Sequence, residues 1–274
     1  MKSTHQSHLY TVSDQAIEST SHHKYLGVTI SSDLTWKNHI ASLKSIASST
    51  LGVIRRSLGP CSKKVKLRVY ETLVRPQLEY ASAAWNPHTE NDIKSLEAIQ
   101  RQAVRFICGE YGRYTSITPL LNQLNLDLLA TRRLMTQCAM FFKIHHNKIN
   151  LQFPSCVRPL PTTGKSSHQL RYDPIQAVRD TYKYSFFVRT IPVWNRLPLE
   201  AVEATSIAVF QTRTLPVVRD LKPTITRPSS PLNRLRIFYS HLKNCTRTTA
   251  LYELTSPWTS VIAFFGVQQL KTED

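Results

Sequence analysis

The stretch 24-KYLGVTISSDLTWKNHIASLKSIASSTLGVIRRSLGP-60 carries the two periodicities that decide the fold. Tyr25 to Ile30 reads as an extended strand, and Gly27 inside it marks a bulge or a close backbone approach, in a chain with only 7 glycines. After Ser31-Ser32-Asp33, where Asp33 suits a turn or cap, Thr35 is placed to cap a helix. Ile40, Leu43, Ala47, Leu51, Ile54 and Leu58 then recur every three or four residues. They lay one apolar stripe along a long amphipathic helix that Gly59-Pro60 ends.

Working outward, Leu9 to Val12 and Gln15 to Ile17, parted by the turn-like Ser13-Asp14, add two short strands and complete a small antiparallel β-meander. Downstream, Ser62 caps a helix over Lys63 to Arg75, Pro76 interrupts the pattern, and Leu78 to Trp85 is again helical. A further helix runs from about Asn91 to Cys108. Thr118-Pro119 opens a helical pair whose longer member spans about Asp127 to His146. Beyond Asn147 the prolines 154, 159 and 161 and the turn Thr162-Thr163-Gly164 mark an irregular connection. Tyr182 to Val193 alternates like a strand or extended arm, Trp194 to Pro198 reads as a turn, and Ser206 to Leu215 as one short helix.

The fold class expected from this is mainly α: an N-terminal antiparallel β-meander over 1–33 and a helical bundle over 34–149. An irregular or extended segment with a Tyr/Phe/Trp-rich block follows over 150–215, and a poorly ordered tail over 216–274.

Against 18 Asp and Glu stand 35 Lys and Arg, a net charge of +17, which concentrates polyanions such as nucleic acid around the chain. The 5 scattered cysteines lack any CxxC or zinc-finger spacing and suit a reducing compartment, cytoplasmic or nuclear. The first residues lack a secretory apolar run, and the longest apolar stretch, Val261 to Val267, is too short for a bilayer. No membrane partner is expected.

The charge is arranged in stripes. At 100° per residue Lys94, Arg101 and Arg105 share one sector, opposite Leu96, Ile99, Ala103 and Ile107. Their spacings, roughly 10.5 and 6 Å at the helical rise, match the scale on which phosphates repeat along a strand. Lys64, Arg68 and Arg75 share a face in the preceding helix, with Glu71 placed to pair locally. Arg55 and Arg56 sit near a helix C-terminus, which the macrodipole favours in any case. The candidate nucleic-acid contacts are therefore Arg55, Arg56, Lys64, Arg68, Lys94, Arg101 and Arg105. An ordinary solvated face with helix-internal pairs, such as Glu97 with Arg101, is the competing account of the same residues. The rings of Tyr182-Lys183-Tyr184-Ser185-Phe186-Phe187-Val188-Arg189 have a stacking platform's composition, although core packing is the commoner fate of such rings. Trp36, Trp85 and Trp194 read as core anchors.

Catalytic signals are missing. Two-metal nucleotidyl transfer needs converging carboxylates, and the aspartates 14, 33, 92, 127, 173, 180, 220 and 274 are all isolated. P-loop, GxSxG and HExxH patterns do not occur. His22-His23 and His145-His146 have no second ligand at useful spacing and suit solvated or capping roles. No catalytic residue, metal ligand, cofactor or small-molecule substrate is assigned, and the chain on its own reads as a non-enzyme.

The blocks KYLGVTISSDLTWKNHI (24–40), LVRPQLEYASAAWNP (73–87), LEAIQRQAVRFI (96–107), Arg132-Arg133 and YKYSFFVRTIPVWNRLP (182–198) resemble, in order and wording, the region downstream of the polymerase core in reverse transcriptases of non-long-terminal-repeat retrotransposons, jockey-like elements especially. The resemblance spans about residues 8–215, with Val188 where a proline is expected. It implies that the meander corresponds to the last palm strands and 34–149 to a thumb-like domain gripping nucleic acid. It also implies that the palm's aspartate pair would lie upstream of residue 24. The expected function is that of a truncated RNA-directed DNA polymerase remnant binding RNA, DNA or their hybrid without catalysis. A helical interaction or structural module, or a pseudogene product without a selected role, are the alternatives.

Overall fold

The chain enters its helical body through paired strands that never join into one sheet. The computed structural model describes residues 11–12, 15–16, 20–112, 114–160 and 168–221. β1 (Thr11–Val12) pairs antiparallel with β2 (Gln15–Ala16), and β3 (His22–Tyr25) with β4 (Val28–Ser31), as separate two-stranded sheets. A small antiparallel sheet ahead of a largely helical body is thus the architecture. The turn expected at Ser13-Asp14, that at 162–164 and the tail from residue 222 onward lie outside the described residues.

Within this plan the expected strand from Tyr25 to Ile30 is corrected to a hairpin. Leu26 (φ 44°) and Gly27 (φ 81°) both adopt the left-handed region, as a two-residue turn matched to strand twist demands. Gly27 is also a place of close approach: a Cβ there would lie 3.3 Å from Cε1 of Tyr80, whose hydroxyl donates to the Leu26 carbonyl at 3.1 Å. Asp33 fills the expected turn role, accepting from the Thr35 backbone N–H at 3.0 Å and from its hydroxyl. That occupies Thr35, so the first helix, α1 (Lys37–Ser57), begins behind Trp36 without a side-chain cap. His39 ties hairpin to helix, its Nδ1 accepting from the Thr29 N–H at 3.3 Å.

Ser62 caps α2 (Lys63–Val69), accepting from the Val65 N–H. The interruption expected at Pro76 appears as a detour rather than a break. The backbone widens into a π-turn over Tyr70–Val74 and continues directly as α3 (Arg75–Glu79). Proline lacks an N–H and its ring presses on the carbonyl one turn back, so a wider turn just ahead of it relieves the conflict. The helix stops instead at Tyr80, because Ala81 turns left-handed (φ 52°) before the short α4 (Ser82–Trp85).

Thr89 accepts from the Asp92 N–H and so caps α5 (Glu90–Cys108), which ends on Gly109 in the left-handed region (φ 75°). α6 (Ile117–Gln123) and α7 (Leu129–His145) follow. The arm expected from Tyr182 to Val193 is helical instead: α8 (Asp180–Lys183) and α9 (Phe186–Trp194). Phe187, Thr190, Ile191 and Trp194, the buried positions of α9, repeat at three and four residues, and that period overrides the alternation of rings and cations. α10 (Leu199–Val202) and α11 (Ile207–Asp220) complete the described chain. Ser206 caps α11, which runs past Pro216 and buries Val218, so ordered packing extends beyond the tail boundary drawn at 216.

Two apolar cores result. The first joins Val28, Ile40, Leu51, Tyr70, Leu78, Trp85, Leu96 and Ile107, and the second joins Phe141, Phe142, Ile191, Trp194, Phe210 and Val218. Each large side chain so buried contributes roughly 1.5–3 kcal/mol. α7 belongs to both, with Leu129 in the first and Met135 to Ile144 in the second. Where the cores meet, a polar seam runs across the body. Asn86 donates to Gln137 Oε1 at 2.9 Å, Arg133 Nε donates to Asn86 Oδ1 at 3.3 Å, and Arg189 donates to the Asn86 and Pro87 carbonyls. Glu97 turns into this seam and accepts the Ala130 N–H at 2.7 Å, capping the start of α7. Burial holds its carboxyl above the usual range, offset by Arg133.

Candidate nucleic-acid interface

The C-terminal ends of α1 and α5 meet α2 at one end of the first core and leave a cleft between them. The C-terminal part of α1 contributes Gly52, Arg55 and Arg56, the turn after it Gly59, α2 contributes Lys66, α5 contributes Phe106 and its cap Gly109, and the loop beyond contributes Tyr111. The cleft is open and holds about 600 Å³, within the range of small-ligand sites. Three of its lining residues, Gly52, Gly59 and Gly109, carry no side chain. The Arg56 guanidinium lies beside Gly52, where a Cβ would be 3.6 Å from its Nη1, and a Cβ on Gly109 would meet nothing within 4 Å. Lys66 places Nζ 4.8 Å from the centroid of Phe106, while Tyr111 keeps 60% of its surface exposed.

Electrostatically the cleft is positive. Arg55, Arg56 and Lys66 supply its basic side chains, no acidic residue lines the wall, and none of the three is in an ion pair among the described residues. The C-terminal ends of α1 and α5 border the same space and contribute about −0.5 charge each. The side chains outweigh these dipoles.

The other expected contacts are distributed differently. Lys64 and Arg68 are exposed but lie about 160° around α2 from Lys66, so they face away from the cleft. Arg75 is half-buried and paired with Glu71 at 3.0 Å. On α5, Lys94 is exposed and paired with Glu90, and Arg101 is exposed. Arg105, expected beside them as a free cation, donates to the Gly112 carbonyl at 3.0 Å and the Thr115 carbonyl at 3.2 Å, and so latches the loop after α5. The pairing expected between Glu97 and Arg101 is replaced by the Glu97 contact to Ala130. The structure therefore brings Arg55 and Arg56 together in a recess, leaves Lys64, Arg68, Lys94 and Arg101 on outward faces, and gives Arg105 a structural task.

Lys66, Phe106 and Tyr111 were not singled out by sequence reasoning. A signal existed: glycine is scarce in this chain, and Gly52, Gly59 and Gly109 all border the cleft. The aromatic block 182–189 is packed rather than displayed, with Phe187 buried and Tyr184 stacked on His88 at 3.7 Å between centroids. Trp85 and Trp194 are fully buried anchors, while Trp36 is partly buried against the first core.

Among the described residues no group of three or more His, Cys, Asp or Glu is placed to hold a metal ion, and no helix is long and apolar enough to cross a membrane. His145 bonds the Tyr172 hydroxyl at 2.7 Å and His146 the Val202 carbonyl at 2.8 Å, each tying α7 to the second core.

No protein-family model matches the chain, and no solved structure matches it. Over 89 residues, 31% of its length, it is 27% identical to a protein of Drosophila melanogaster described as a probable RNA-directed DNA polymerase from transposon X-element. The chain spans about 10% of that protein's length. The similarity is thus weak and partial, and it is to a transposon-associated, reverse-transcriptase-like protein.

Proposed function

We propose that this chain is a piece of a non-long-terminal-repeat, jockey-like retrotransposon reverse transcriptase from the region downstream of the palm aspartates. In this reading its 34–149 segment is thumb-like, and its own activity is non-catalytic binding of RNA, DNA or RNA-DNA hybrid. The ordered sequence blocks and the partial similarity to the X-element polymerase support the lineage. The observation that carries the binding reading is the grouping of Arg55, Arg56 and Lys66 in a recess without an acidic partner, flanked by exposed Lys64, Arg68, Lys94 and Arg101. Cations so placed neutralise phosphates and release counterions.

Filter binding of labelled duplex, hybrid and single-stranded oligonucleotides across a salt series tests this. Affinity falls steeply as salt rises, and the protein alone does not extend an annealed primer. Affinity independent of salt, or templated extension, overturns the reading.

A second reading, a helical interaction module, is favoured by the exposed apolar side chains Ile46 (49%), Val53 (51%) and Leu73 (52%). Ile46 and Val53 flank Thr50 on α1, and Thr50 is hydrogen-bonded to Gln77 one turn beyond Leu73, which gathers them on one surface. Charge reversal at Lys94 and Arg101 leaves nucleic-acid binding unchanged under this module and weakens it under the first reading.

A further inference from the structure

We propose that the cleft between α1, α2 and α5 binds one nucleotide of an unpaired strand, its phosphate on Arg55, Arg56 and Lys66 and its base stacked on Tyr111. This rests on the nucleic-acid-binding reading above and adds to it a site and a strand preference.

The recess is shaped for an inserted group. A duplex offers its phosphates on a convex cylinder and keeps its base faces covered, so it meets outward helix faces such as those of Lys64, Arg68 and Arg101. A space of about 600 Å³ lined by three glycines admits a group that projects, such as an unstacked nucleotide. The cations are arranged for an anion held between walls rather than passed along one. Arg55 and Arg56 come from α1 and Lys66 from α2, two different helices that line the same space.

The two rings have different roles. Phe106 is 5% exposed and already faces the Lys66 ammonium, so its contribution is to hold that cation in place. Tyr111 is 60% exposed and lines the same cleft. An exposed aromatic next to three cations is the pairing that single-stranded binders use, because every base has a π-face while only unpaired bases display it. The loop carrying Tyr111 is also stiffened for the task. Arg105 fastens it from inside through the Gly112 and Thr115 carbonyls, which reduces the ordering cost of binding.

The test uses the full chain and three probes: a fluorescein-labelled 15-nucleotide oligo(dA), a 15-base-pair duplex of mixed sequence, and free adenosine monophosphate as competitor. Variants are Tyr111→Ala, Tyr111→Phe, Arg56→Glu with Arg55→Glu, and Lys94→Glu with Arg101→Glu as an outward-face control. Each is compared by thermal melt to verify folding. Tyr111→Ala weakens oligo(dA) binding roughly five- to a hundredfold and leaves duplex binding within about twofold, and Tyr111→Phe restores it. The Arg55/Arg56 reversal lowers the salt slope for oligo(dA) by about 0.7, the share of the single phosphate held in the cleft.

Equal losses on both nucleic acids, or none, in the Tyr111 and Arg55/Arg56 variants of a protein that still binds in a salt-dependent way overturn the cleft site alone. Displacement of oligo(dA) by submillimolar adenosine monophosphate assigns the site to free nucleotides and overturns the strand reading. Wild-type protein that binds neither oligo(dA) nor duplex overturns the underlying nucleic-acid function as well.

Discussion

Arg189 on α9 donates through Nη1 to the main-chain carbonyl of Asn86 at 2.5 Å, across a separation of 103 residues. A second donor, Nη2, reaches the Pro87 carbonyl at 3.4 Å. Burial, with Arg133 nearby, pushes the guanidinium pKa down to about 10, so the charge is desolvated yet still present at neutral pH. Arg189→Ala leaves two carbonyls without their donors at the meeting of the two cores, and stability falls by about 2–4 kcal/mol in urea melts. Arg189→Lys keeps the charge but loses the fork, and recovers only part of this. A loss below about 0.5 kcal/mol for Arg189→Ala contradicts the assignment.

Acid weakens the fold through histidines that are neutral inside it. His39 has its pKa lowered to about 4 by burial and then by Lys24, and His145 to about 4 by burial and then by His146 and His168. The unfolded chain, with ordinary values near 6.5, takes up these protons first. The stabilisation is therefore complete above about pH 6.5 and is lost progressively as pH falls toward 4. Urea melts between about pH 7 and 4.5 show declining stability, and His39→Gln makes the decline shallower. A wild-type profile flat over that range refutes the argument.

Gly27 admits no side chain without cost. Its positive φ and the 3.3 Å approach of Tyr80 act together, so Gly27→Ala destabilises by about 1–2 kcal/mol, seen as faster amide exchange at Thr29 and Ile30. Tyr80→Phe removes only the bond to the Leu26 carbonyl and has the smaller effect.

Arg105 and Arg101 separate structure from binding. Arg105→Ala releases the loop after α5, speeding amide exchange at Tyr114 and Thr115 and costing about 1–2 kcal/mol locally. Arg101→Ala leaves exchange unchanged and weakens only the salt-dependent part of nucleic-acid affinity. Identical exchange in both variants denies the latch.

The helical plan was legible wherever one residue class repeated over several turns. The stripe from Ile40 to Leu58 and the cap Ser62 are local properties of the chain, and the structure has them in place. What was hidden depended on partners far away. Nothing within 182–193 announces that Phe187 and Ile191 would join Phe141 and Phe210 in one core, so the alternation of rings and cations reads as an arm. Gly27 reads from the sequence as a bulge or close approach, but its turn conformation is coupled to Tyr80, more than fifty residues on. The site divided similarly. Arg55 and Arg56 stand out by charge, whereas Lys66, Phe106 and Tyr111 gain meaning only when α2 and α5 pack beside the end of α1.

Because α7 spends its first turn among one set of apolar neighbours and the rest among another, cutting the polypeptide after residue 149 would be a poor way to dissect it. The shortened product would keep Phe141 and Phe142 while discarding Ile191, Trp194 and Phe210, the surfaces that cover them. Such a fragment would clump rather than refold. Anyone preparing a minimal soluble piece should carry it through Asp220, where α11 closes over the same helix.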